Sequence, residues 1–127
     1  MIKERRGQAC AIRNNVTYVI GGEWSTTRNS MELWDGSRWT YSEIEVGDAY
    51  MEGGLLLHNT KLYLFTSWGS DLQWRHFHKS ESTKGGEIWE IDERNKFRLY
   101  GNMPEPIREF TVFTIPYNYN ITNCKGL

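Results

Sequence analysis

The chain has 127 residues, weighs 15.0 kDa and is 39% hydrophobic, 14% aromatic and 24% charged, a size that fits one ordinary globular domain better than a multidomain enzyme. Fifteen Lys and Arg against sixteen Asp and Glu give a net charge of -1, which provides no broad electrostatic footprint for nucleic acid or for an anionic membrane. No apolar run exceeds four residues, as in Ala9 to Ile12 and Leu62 to Phe65, far short of the roughly 20 that a bilayer-spanning helix needs.

Apolar residues come in short pieces between Gly, Asn, Asp and Ser, without helical periodicity, so an all-β chain is expected. In chain order, strands are expected at residues 8–12, 16–20, 30–35, 38–44, 54–57, 61–66, 87–92, 96–100 and 110–115. The charged start, Met1-Ile2-Lys3-Glu4-Arg5-Arg6, leads into no apolar stretch of the signal-peptide kind, which favours a cytoplasmic location. Cys10 and Cys124 lie at neither a metal-ligand spacing nor in a disulfide framework and are expected to be reduced, structural thiols. Two N-glycosylation sequons, at Asn15 and Asn120, would matter only if an upstream signal peptide made the chain a secreted binding module.

The strands repeat. Asn14-Asn15-Val16-Thr17-Tyr18-Val19-Ile20 recurs 45 residues later as Asn59-Thr60-Lys61-Leu62-Tyr63-Leu64-Phe65. Met31-Glu32-Leu33-Trp34-Asp35 with Trp39 answers to Ile88-Trp89-Glu90-Ile91-Asp92 with Phe97. A four-stranded unit of roughly 40 to 50 residues is the signature of a propeller blade. Small residues, Gly7, Ala9, Gly53 and Gly54, mark the first strand of each unit, as an innermost strand crowded at a propeller axis requires. Residues 16–20 and 62–65 are almost continuously apolar and are expected to be buried on both faces.

Tyr18-Val19-Ile20-Gly21-Gly22, then Met31-Glu32-Leu33-Trp34-Asp35 and Trp39, resemble a kelch repeat, which ends its second strand in a glycine pair and follows it with aromatics in the third and fourth. The second unit departs from that pattern, with Thr66-Ser67 in place of the glycine pair, Ile91 in place of the third-strand aromatic and Phe97 in place of the Trp. Met103-Pro104-Glu105-Pro106-Ile107-Arg108 resembles the link between kelch blades. The resemblance implies a partial kelch-type β-propeller, with two four-stranded antiparallel blades and the first strand of a third. Blade 1 is expected at residues 6–49, blade 2 at 50–107 with a long inserted loop at 67–86, and a partial third blade or tail at 108–127. Propellers close with four to eight blades, so further blades or oligomerisation are needed for closure. Gly21, Gly22, Trp34, Trp39, Tyr63 and Phe97 are the expected structural residues.

The loop at 67–86 inserts about 13 residues relative to its counterpart, and long loops in compact domains tend to be functional or disordered. Its Trp68, Asp71, Trp74, Arg75, His76 and His78, with Trp24 and Arg28 on the companion loop at 23–29, have the composition of a protein-binding hot spot. The alternative role for Trp68 and Trp74 is a cover over the second blade. Asp71, His76 and His78 form too weak a pattern to read as a metal site, and no cofactor is expected. Gly21-Gly22-Glu23 lacks the Lys-Ser/Thr ending of a phosphate loop, and no nucleophile motif is present. A non-catalytic protein-interaction module is therefore expected. The kelch resemblance extends this to substrate recognition in a ubiquitin-ligase adaptor or to actin binding, and its competitor is a fragment of a galactose oxidase-like propeller enzyme.

Overall fold

Eight strands form the computed structural model, which describes residues 1–22, 29–44, 46, 53–66, 86–104 and 112. They are β1 (Ala9–Arg13), β2 (Val16–Ile20), β3 (Ser30–Trp34), β4 (Trp39–Glu43), β5 (Gly54–His58), β6 (Lys61–Phe65), β7 (Glu87–Ile91) and β8 (Phe97–Asn102). The described residues hold no helix and make two four-stranded antiparallel sheets, each a simple meander, β1-β2-β3-β4 and β5-β6-β7-β8. Strand limits differ from the sequence expectation by one or two residues, and Val16–Ile20 coincides with it. Of the ninth expected strand at 110–115, only Val112 is among the described residues.

The tight turns follow from their residues. Asn14 and Asn15 both take positive φ, 52° and 61°, which lets two residues reverse the chain between β1 and β2. Asp35 closes the β3–β4 turn by accepting the Ser37 and Arg38 backbone N–H groups and the Ser37 hydroxyl on Oδ1. Asp92 closes the β7–β8 turn in the same way, accepting from the N–H groups of Arg94 and Lys96. The Arg38 and Ser37 N–H groups hold the Asp35 carboxyl down at about 2, against an ordinary 3.8. Its contribution to stability is therefore complete above pH 3.8 and is lost as the pH falls through about 2. NMR titration of the Asp35 carboxyl should show its inflection near that lower value.

The two units also match in their loop roots. Gly21 N–H donates to Ser30 O, and Thr66 N–H to Glu87 O, both at 3.0 Å. Ile44 N–H donates to Asn29 O, and Met103 N–H to Gly86 O. Gly21 and Gly22 take φ of 72° and 130° after β2, conformations that disfavour a Cβ. Thr66 keeps the equivalent hydrogen bond and adds a second, from Oγ1 to Glu87 O.

Residues paired across strands share a face. Ala9, Ala11 and Arg13 therefore lie on the same face of the first sheet as Tyr18, Ile20, Met31 and Leu33. On the second sheet, Leu55, Leu57, Leu62, Leu64, Trp89, Ile91 and Phe97 share a face. These two faces meet. Ala9, Tyr18, Ile20, Met31, Ile44 and Val46 form one core cluster with Leu55, Leu62, Leu64 and Ile91, and β1 runs beside β5. β2 carries three consecutive buried residues, Tyr18 to Ile20, but β6 alternates, with Leu62 and Leu64 buried and Tyr63 and Phe65 only half-buried. The expectation of burial on both faces thus fails for β6, because only its Leu62/Leu64 face meets the other sheet.

Candidate functional site

At the short-turn rim, Arg13 ends β1 with 4% of its surface exposed. Its guanidinium crosses to the second sheet, donating to Thr60 O at 3.2 Å, Ile91 O at 3.0 Å, Asp92 O at 2.8 Å and Asn95 Oδ1 at 2.9 Å. It also donates to the Tyr18 hydroxyl at 3.0 Å and lies over the Tyr18 ring. Tyr18 in turn donates to Asn95 Oδ1 at 2.8 Å, and Asn95 is held at φ 62°. These acceptors are all neutral, so the charge is stabilised by a ring of carbonyl dipoles rather than by a carboxylate. The network ties the β5–β6 and β7–β8 turns to the end of β1. It places the turns of both units on one rim, as an up-and-down meander requires.

At the opposite rim, the N-terminal segment is pinned to the outer face of the first sheet. Glu32 on β3 is fully buried and accepts Arg5 Nε at 2.6 Å and the backbone N–H groups of Ile2 and Lys3. Arg5 also reaches Gly21 O at 2.8 Å and Ser30 Oγ at 2.9 Å. Burial pushes the Glu32 carboxyl up, but the Arg5 hydrogen bond, the Ile2 and Lys3 N–H groups and the Arg5 charge together bring it below its ordinary value. Lys3 lies over the Tyr41 ring, extending the contact to β4.

This rim also carries the roots of the loops that hold the expected binding residues. The loop at 67–86 leaves the sheet at Thr66 and re-enters at Gly86, where Gly86 N–H donates to Thr66 O at 3.0 Å. The companion loop leaves at Gly21 and Gly22 and re-enters at Asn29. Trp24, Arg28, Trp68, Asp71, Trp74, Arg75, His76 and His78 all lie outside the described residues.

The expected structural residues fall in four places. Gly21 and Gly22 sit at the loop root. Trp34 and Trp39 pair across β3 and β4 with ring centroids 5.4 Å apart, half-buried on the outer face of the first sheet. Phe97 packs against the core cluster between the sheets. Tyr63 lies on the outer face of the second sheet, edge-on to Tyr100 at 5.2 Å and 6.5 Å from the His58 ring. That face also carries Leu56, Phe65 and Ile88, and a charged trio in which Lys61 and Arg98 reach Glu90 at 3.0 and 3.1 Å. The Lys61 hydrogen bond, outweighing burial with help from Arg98, holds the Glu90 carboxyl below its ordinary value.

Among the described residues no three His, Cys, Asp or Glu side chains gather as a metal site. Cys10 is a free thiol on edge strand β1 and is exposed, not buried in the core, because it points away from the second sheet. Its partial desolvation outweighs the Arg5 charge and raises its pKa, leaving it protonated and weakly nucleophilic at neutral pH. Arg13, Asn95, Arg5 and Glu32 carry almost no local mark of these roles, because their partners lie tens of residues away. The one available signal was an Arg at the end of an otherwise small and apolar strand. Comparison with protein-family models and with curated proteins finds no match to this chain.

Proposed function

We propose that this chain is part of a kelch-type β-propeller that binds a protein partner through its long-loop rim and performs no chemistry of its own. The supporting observation is the stacking of two successive meander sheets, innermost strand beside innermost strand, with matching loop roots and matching Asp-closed turns. Such a scaffold gathers the loops of successive units on one rim, and here that rim roots the Trp- and Arg-rich loops. By the kelch resemblance, the partner would be a ligase substrate or actin.

Trp74→Ala and Arg75→Ala should each weaken partner capture by about 2 kcal/mol, a hot-spot effect. Neither should move the thermal midpoint. Affinity capture with both variants, read beside their melting curves, tests this: unchanged capture, or a lowered midpoint with Trp74 acting as a cover, would overturn it.

A further inference from the structure

The outer face of the second sheet is the repeat counterpart of a face that is buried in the first. Counting along the repeat, Gly54, Leu56, His58, Tyr63, Phe65 and Ile88 stand where Ala9, Ala11, Arg13, Tyr18, Ile20 and Met31 stand one unit earlier. The earlier set is covered by the second sheet, and Ala9 is only 3% exposed. In the later set Tyr63, Phe65 and Ile88 are half-buried, and Tyr100 beside them is 61% exposed. The sequence has thus built an apolar face with room for a cover.

One residue shows where that cover begins. A Cβ placed on Gly54 would meet Val112 Cγ2 at 2.5 Å and Cγ1 at 3.0 Å, so Val112 fills the space over the Gly54 corner of this face. Β8 ends at Asn102 on the far edge of the sheet, so the chain has crossed from the outer strand to the innermost one by Val112. Fifteen residues follow. Phe113, Ile115, Tyr117, Tyr119 and Ile121 alternate there with Thr114, Pro116, Asn118 and Asn120, and Lys125 is the single charge in a stretch of a chain that is 24% charged overall. Five-residue strands make a face about 17 Å long, which nine residues can span in extended form. Glu90 on this face is paired with both Lys61 and Arg98, so a net charge of only +1 remains there, carried by side chains that are 45% and 71% exposed and can keep their charged ends in water beside an apolar cover.

We propose that residues 113–127 of the same chain are the occupant of this face, closing the second sheet as the second sheet closes the first. The proposal rests on the repeat stacking in the reading above and not on the loop rim.

The test uses the full chain carrying Cys10→Ser, Cys124→Ser and Asn118→Cys, with a nitroxide on the introduced thiol. Methyl signals of Leu56 and Ile88 should lose most of their intensity relative to the reduced label, while that of Ile12, on the outer face of the first sheet, keeps it. An isotope-labelled chain without nitroxide, mixed with nitroxide-bearing chains, should keep all its intensity. Full intensity at Leu56 and Ile88 would overturn the proposal, as would loss at Ile12 in their place. Attenuation in the mixed sample would overturn it by assigning the face to a second copy. These outcomes are separate from partner capture by the Trp74 and Arg75 variants, so either reading can fail alone.

Discussion

Arg13→Ala should destabilise the chain by about 3 kcal/mol, read as a lowered urea midpoint. The side chain donates to four acceptors on the second sheet and to Tyr18 on its own. Hydrogen bonds to a charged group contribute about 1.5–3 kcal/mol each and do not add, and a buried carbonyl left without a donor costs about 1–3 kcal/mol. Water entering at the rim offsets part of that loss, which sets the expectation near the value for one or two such bonds. Because a domain of this size is stable by only about 5–15 kcal/mol, the change is a large fraction of the total. Arg13→Lys keeps the charge but not the planar fork, so it should recover only part of the loss. A variant as stable as the parent would mean that the two sheets are held by apolar contact alone.

Glu32→Ala should cost a similar amount, about 3 kcal/mol, because it takes a hydrogen-bonded carboxylate away from a buried guanidinium. Arg5 and Glu32 are both fully withdrawn from solvent in their side chains, and Arg5 ties the N-terminal segment to β2 and β3. The pair also gives acid sensitivity a definite sign. The Glu32 carboxyl lies below its ordinary value of 4.5 in the folded chain. Its contribution is present in full above that value and disappears as the pH falls through the lowered folded value. The stability difference between the parent and Glu32→Gln should therefore shrink on acidification below pH 4.5 and stay constant above it. A constant difference through the acid range would show that Glu32 does not titrate with folding.

Much of the fold is legible in local pattern. The recurring Asn-Asn-Val-Thr-Tyr and Asn-Thr-Lys-Leu-Tyr segments place two hairpins, and Asp35 and Asp92 place two turns, because each of these devices works within four residues of chain. What stays hidden is what joins the pieces. Arg13 meets Ile91, Asp92 and Asn95 across 78 to 82 residues, and Arg5 meets Glu32 across 27. A charged residue at a strand end reads locally as a solvated turn residue, and only the second sheet's arrival converts it into a clamp. The half-burial of Tyr63 and Phe65 is hidden for the same reason, since an apolar strand carries no mark of whether its second face has found a neighbour. Trp34 and Trp39 likewise announce burial, yet pack on each other at the outer face.

The two units pack sheet on sheet with Arg13 joining them, and a double-mutant cycle between Arg13→Ala and Asn95→Ala puts that junction to the test. Asn95 Oδ1 accepts from both Arg13 and Tyr18, so removing Arg13 first should blunt the effect of removing Asn95. A coupling of about 1–2 kcal/mol is expected in urea unfolding, within the range for residues in one network. Strict additivity would place Arg13 and Asn95 apart and contradict the stacking of the two sheets.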